Sequence, residues 1–293
     1  MSAASSAALP FLRVAGDGPA VLCLHSTGSS SRQWVPLTER LSKRFRVIAA
    51  DLISHGRSRS WARGEAPSID AELDALSRIV EAQPGALHVV GHSYGGAVAI
   101  RLALRHPDRV TTLSAYEPVM FRQLLDARPD DDAAMEAVRV AGTIHRGLAA
   151  GKPEQAAQSF YDYWSGAGAW EQLNEELRRT ITERMPAAFA CFQALFADHT
   201  SRAALARIEV PTLLMSGGHS PASGRAATRL LAEVLPKSWW KAFPHLGHMG
   251  PVEAPDAVNG AIERFLDAAH RRSLAFRPHD SGSYPRWGAA AAA

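Results

Sequence analysis

Apolar positions along this chain alternate between short continuous runs and longer stretches with helical spacing. Residues 11–14 and Ala20–Leu24 are brief apolar runs parted by Gly16, Asp17, Gly18 and Pro19, a turn signal that predicts a hairpin. Helical spacing over 34–41 leads to an apolar run at Arg46–Ala50, and helical spacing over 70–82 leads to one at 87–90. A further helix ends near His106 and Pro107 and leads to Val110–Tyr116. Parallel neighbours need a crossover between them, and their strands are buried on both faces. The alternation therefore predicts an α/β fold: a mostly parallel, twisted sheet with helices on both faces.

The rhythm stops after Pro118. Roughly the next 85 residues hold no good strand pattern and several helical ones, Asp132–Ala149, 153–163 and 170–185, which predicts a helical cap inserted at 118–205. The sheet pattern resumes with a strand at 211–216, a helix at about 223–235, a strand at 239–243 and a last helix at 255–270. The expected core is thus 10–117 with 206–270. No internal repeat is visible.

Composition narrows the class. No apolar stretch approaches the ~20 residues needed to cross a bilayer, and the Ala/Ser-rich start lacks the basic and apolar segments of a secretory signal, so cytoplasmic residence is expected. Cys23 and Cys191 are too few for a disulfide framework, have no metal-ligand spacing, and read as packing residues. The net charge of +3 would suggest nucleic acid if it were spread over the fold. It is not: four arginines and one aspartate in 271–293 account for all of it, and the remainder balances at 28 basic and 28 acidic residues. Those last residues, rich in Pro, Ser, Gly and Ala, are expected to be disordered, and no nucleic-acid or membrane partner is expected.

The strongest chemical signal is Gly91 to Gly96, Gly-His-Ser-Tyr-Gly-Gly, placed between the apolar run 87–90 and the Ala-rich helical stretch 97–104. Strand, sharp turn and helix in that order make Ser93 a candidate nucleophile. Gly91 and Gly95 permit a turn tight enough to expose its hydroxyl, and the following helix points free N–H groups at it.

Three more motifs fall in order around this one: His25-Ser26-Thr27-Gly28 with Trp34 beyond it, Asp51 through Ser58, and Gly247-His248-Met249 before the last helix. Together the four motifs resemble those of the α/β-hydrolase fold superfamily over about residues 10–270. Two positions depart from its pattern, with Ser26 and Ser54 where glycines are usual.

The resemblance implies a triad. A serine hydroxyl needs a base to accept its proton and a third group to hold that base in one tautomer. His248 is the expected base, with His245 as its rival. The acid most often follows the strand equivalent to 211–216, but that stretch reads Gly217-Gly218-His219-Ser220 and carries no carboxylate. Some relatives place the acid after the strand that follows the nucleophile helix, where Glu117 stands. Glu117 is the preferred orienting acid, and Ser220 and Asp198 are the alternatives. The oxyanion donors implied are the N–H groups of Tyr94 and of Thr27, with Ser26 one residue away. Asp51 reads as a turn-forming side chain.

An aromatic cap (Phe160, Tyr161, Tyr163, Trp164, Trp170, Phe189, Phe192, Phe196) is expected to supply an apolar pocket, though most of these rings are expected to serve helix packing. The expectation is a cofactor-free, metal-free serine hydrolase acting on an ester or related acyl bond of a small, largely apolar substrate. The alternatives are a carbon–carbon bond hydrolase and a ligand-binding or receptor-like fold with little turnover, kept open by Ser220.

Overall fold

Every residue of the strand Ala20–Leu24 is buried, and its side chains alternate between two separate cores. Val21 and Cys23 pack with one set of helices, Leu22 and Leu24 with another, as the period of two in a doubly covered sheet requires. The computed structural model describes residues 9–275 of the 293. In chain order the first half comprises β1 (Leu12–Ala15), β2 (Ala20–Leu24), α1 (Val35–Leu41), β3 (Arg46–Ala50), α2 (Ile69–Glu81), β4 (Leu87–His92), α3 (Tyr94–Arg105) and β5 (Val110–Tyr116). The helical insertion follows: α4 (Phe121–Ala127), α5 (Asp132–Ala149), α6 (Pro153–Ser165), α7 (Glu175–Glu183), α8 (Met185–Phe196) and α9 (Arg202–Leu205). The chain then returns through β6 (Thr212–Gly217), α10 (Ala222–Val234), β7 (Ser238–Phe243), α11 (Gly250–Glu253) and α12 (Pro255–Ala275).

The seven strands lie in the order β1-β3-β2-β4-β5-β6-β7, all parallel except β1. Leu37 and Leu41 of α1 and Val258 and Ile262 of α12 cover one face; Leu73 and Leu76 of α2, Val98 of α3 and Leu231 of α10 cover the other. Each such fully buried aliphatic side chain contributes about 1.5–3 kcal/mol before entropy is subtracted. Strand order reverses direction between β2 and β4, which puts the loops after those two strands side by side at a topological switch point.

Three expectations need correction. The hairpin does not form, because β1 pairs antiparallel with β3, with Leu12 opposite Ala50 and Ala15 opposite Val47. Both edges of the fully buried β2 are taken by β3 and β4, and the partly exposed β1 suits only a sheet edge. Gly16 and Gly18, at φ of 78° and 114°, instead carry the chain across the α1–β3 turn, where a Cβ on Gly16 would sit 2.3 Å from the Ser42 carbonyl oxygen. The expected helix at 170–185 is broken: a 3₁₀ turn at Trp170–Gln172 ends, Asn174 caps α7, and α8 starts afresh with Pro186 in its first turn. Last, α12 runs to Ala275 rather than stopping at His270. The rest of the expected disordered tail, 276–293, lies outside the described residues, as does most of the Ala/Ser-rich start. Among the described residues no helix is long and apolar enough to cross a membrane.

Candidate active site

Ser93 closes β4 and precedes α3 with φ of 55° and ψ of −120°, a left-handed conformation that side-chain-bearing residues seldom adopt. Two glycines make the turn possible. A Cβ on Gly91 would stand 2.5 Å from the Gly95 carbonyl oxygen, and one on Gly95 would stand 2.4 Å from those of Leu24 and His25. The Ser93 side chain makes no capping bond to α3, so its hydroxyl is free to point outward. It donates to His248 Nε2 at 2.9 Å.

His248 comes from the loop after β7, two strands away from β5, and two close approaches and two hydrogen bonds bring that loop back across the end of β6. A Cβ on Gly217 would meet the Leu246 carbonyl oxygen at 2.3 Å, and one on Gly218 the Pro244 carbonyl oxygen at 2.3 Å, so the two glycines leave room for the returning chain. Tyr116 donates its hydroxyl to the Gly247 carbonyl at 2.7 Å, and His92 donates Nε2–H to the His248 carbonyl at 2.9 Å. Burial, and next to it the neighbouring His248, holds His92 well below the ordinary imidazole range, which keeps it a neutral single donor. His92 thus positions the backbone of His248 rather than serving only as packing.

The imidazole of His248 lies between a carboxylate and a ring. Its Nδ1–H donates to Glu117 Oε2 at 2.6 Å, and because a carboxylate only accepts, Nε2 is left free to receive the serine proton. Glu117 is wholly buried, sits at φ 43°, and accepts the Gly217 N–H through Oε1 at 2.8 Å. Trp164 of α6 stacks on the imidazole with centroids 3.8 Å apart and planes 28° from parallel.

The alternatives fall elsewhere. Ser220 Oγ is buried without a hydrogen-bond partner and does not reach His248. Asp198 pairs with Arg101 and accepts from Gln123 and Thr200. His245 is exposed and faces His219 edge-on. Asp51 accepts the N–H groups of Ser31 and Arg57, in keeping with a turn-forming role.

The loop after β2 is held by fixed neutral histidines. His25 Nε2 accepts the Leu52 N–H and His55 Nε2 accepts the Gly28 N–H, while each Nδ1–H donates to a backbone carbonyl. Burial pushes His25 down to about 3 and also lowers His55, so both remain neutral acceptors near neutral pH. Ser26 donates its N–H to Gln33 Oε1, so the amides on both sides of Thr27 are engaged within the protein. The two departures from the family pattern are accommodated as well. Ser26 Oγ also bonds Gln33, and Ser54 takes φ 62° while its Oγ accepts the Trp61 N–H.

A cavity of about 330 Å³ opens over Ser93 and His248, between the strand ends and the helical insertion. Of the eight cap aromatics, Phe160, Tyr161, Trp164 and Phe192 line it; Phe189 packs on His145, Phe196 on Phe121, Trp170 on Tyr161, and Tyr163 bonds Ser223. Phe121, absent from the expected set, lines the cavity, and so do Arg32 and Arg184. Among the described residues no group of three or more His, Cys, Asp or Glu side chains is placed to hold a metal ion.

Residues 21–261 match the alpha/beta hydrolase family. The chain belongs to that family. Similar proteins include the pimeloyl-[acyl-carrier protein] methyl ester esterase of Nitrosomonas europaea, 31% identical over 255 residues that cover 84% of this chain and 94% of the relative. The (E)-2-((N-methylformamido)methylene)succinate hydrolase of Acinetobacter baylyi is 25% identical over 265 residues, 86% of this chain and 92% of its own. Among solved structures, a thermophilic esterase from Thermogutta terrifontis superposes with a TM-score of 0.69 at 25% identity, covering 89% of this chain and 93% of that one. The protein is an enzyme of the hydrolase class with the α/β-hydrolase fold.

Position 224 is a site residue that sequence reasoning missed. A Cβ there would stand 3.0 Å from Glu117 Oε2, so Gly224 makes room for the carboxylate. The signal was a glycine in the first turn of a helix, where alanine has the better propensity.

Proposed function

We propose that this hydrolase cleaves an ester or related acyl bond of a small, largely apolar substrate, with Ser93 as nucleophile, His248 as base and Glu117 as orienting acid. The observation that carries the reading is the unbroken hydrogen-bonded chain Ser93 Oγ, His248 imidazole, Glu117 carboxylate, at 2.9 and 2.6 Å. Ser93 Oγ attacks the acyl carbon while His248 Nε2 takes its proton. Glu117 stabilises the imidazolium so formed. The carbonyl oxygen gains negative charge and is received by the N–H groups of Tyr94, which has no acceptor in the first turn of α3, and of Thr27, the amide between two engaged neighbours. His248 then gives the proton to the departing alkoxide, and a water molecule deprotonated by the same imidazole releases the acid from the acyl-enzyme. In this reading 118–205 acts as a cap over the core 10–117 and 206–270, and the enzyme works in the cytoplasm on a small molecule.

The ground for a non-catalytic reading was the serine at 220; the buried Glu117 carboxylate bonded to His248 supports the catalytic reading instead. The test is labelling with a fluorophosphonate, followed by a panel of p-nitrophenyl esters of increasing chain length. Wild type is expected to label and Ser93→Ala is not. Folded wild-type protein that resists labelling would sink the proposal.

A further inference from the structure

The cavity lining is of two chemical kinds. Val119, Phe121, Ala188, Phe192 and Leu195 are apolar and buried, whereas Ser29 and Ser30 are half-buried and Arg32 and Arg184 are exposed, which puts the arginines toward solvent. Arg32 and Arg184 belong to different parts of the fold, one to the turn after β2 and the other to the junction of α7 and α8. Neither makes an ion pair among the described residues, while the neighbouring Arg178 and Arg179 pair with Glu171 and Glu183. Arg184 is held by donating one N–H to the Gly28 carbonyl at 2.8 Å, which places its guanidinium beside the loop that carries Thr27. Its charge is close enough to weigh against protonation of both His25 and His55.

We propose that the substrate is an ester bearing a negatively charged oxygen group, a carboxylate or phosphate, which Arg32 and Arg184 bind on the solvent side while an apolar segment packs against the apolar lining. The inference rests on the hydrolase reading above and gives that reading a substrate class. A guanidinium offers paired N–H donors that match the two oxygens of such a group. Both arginines are exposed, so the attraction is moderate and sensitive to salt.

The experiment compares three methyl esters of equal chain length with full-length protein: the half-ester of a medium-chain dicarboxylic acid, its phosphate-terminated analogue, and the uncharged methyl-terminated ester. At low ionic strength kcat/KM for at least one anionic ester is expected to exceed that for the neutral one by about tenfold, and the excess shrinks as salt rises. The favoured anion identifies carboxylate or phosphate. In Arg184→Gln and Arg32→Gln the ratio of anionic to neutral ester falls several-fold, in the double variant it approaches one, and Arg184→Lys retains part of it. Taking the ratio within each variant cancels any general loss from a loosened Gly28 loop, and thermal melts check folding. Equal kcat/KM for all three esters in wild type, or a preference that survives in the double variant, overturns the proposal while leaving ester hydrolysis intact. Failure to hydrolyse any of them, with Ser93 inert to fluorophosphonate, overturns the hydrolase reading instead.

Discussion

Gly224 lies against Glu117: a single methyl group at position 224 would stand 3.0 Å from Oε2, the oxygen that accepts the hydrogen bond from His248 Nδ1–H. Glu117 has little freedom to retreat, since its other oxygen is fixed by the Gly217 N–H and its side chain is fully buried. Gly224→Ala therefore sets two effects against each other. Helix propensity favours alanine by up to about 1 kcal/mol, which leaves the melting temperature level or raised, while a carboxylate displaced by a few tenths of an ångström lowers kcat by about tenfold. Glu117→Gln, which removes the charge but keeps the shape, lowers kcat by on the order of 10³- to 10⁴-fold. Initial rates and thermal melts on the two variants check both statements, and a Gly224→Ala enzyme of undiminished kcat would count against the contact.

The stack of Trp164 on His248 supplies a second expectation. An indole face attracts a cation more strongly than a neutral ring, so in the proposed mechanism, where His248 takes the serine proton, the contact strengthens as the reaction proceeds. Trp164→Leu keeps the cover and removes the π face; kcat is expected to fall three- to tenfold. Trp164→Phe is expected to restore most of it. Steady-state kinetics with an ester that saturates the enzyme separates this from a change in KM, and equal kcat for the Leu and Phe variants would rule out the electrostatic contribution.

Glu72 is buried behind the nucleophile turn, where it accepts the Ile53 N–H at 3.1 Å and the Tyr94 hydroxyl at 3.3 Å. Burial pushes its carboxyl up to about 8. A carboxyl raised above its ordinary value holds its proton in the folded state while the unfolded chain releases it. The associated stability is thus complete below pH about 4.5 and is lost as pH climbs to about 8. Retaining one proton across that interval makes the loss on the order of 5 kcal/mol. Glu72→Gln, which cannot ionise, is expected to flatten this slope. Urea unfolding at several pH values between 5 and 8 checks it, and parallel curves for wild type and variant would refute it.

Much of the site was legible from local sequence because its parts are local devices. The turn at Ser93 needs small residues at Gly91 and Gly95 wherever it occurs, and an apolar run followed by Gly-x-Ser-x-Gly and an Ala-rich helix leaves few other readings. The parallel sheet announced itself in the same way, through runs such as 87–90 and Val110–Tyr116 that stay buried at nearly every position. The hairpin expectation failed because Gly16 to Pro19 encodes a change of direction and not a strand partner. The cap was readable as helices but not in detail: Trp170 to Met185 has enough helical spacing to look continuous, and only the capping by Asn174 and the restart at Pro186 divide it.

The sequence by itself determined the order of strands and helices, the strained serine, and the loops that flank it, since these follow from side-chain size, backbone freedom and the period of burial within a few neighbouring residues. Tertiary structure alone decided which carboxylate meets His248. Glu117, Gly224 and His248 are far apart in the chain, and they converge only because parallel strands end on one rim and the loop after β7 is drawn back over Gly217 and Gly218. It also decided which cap rings face the cavity, because helical spacing fixes a face but not what that face will pack against.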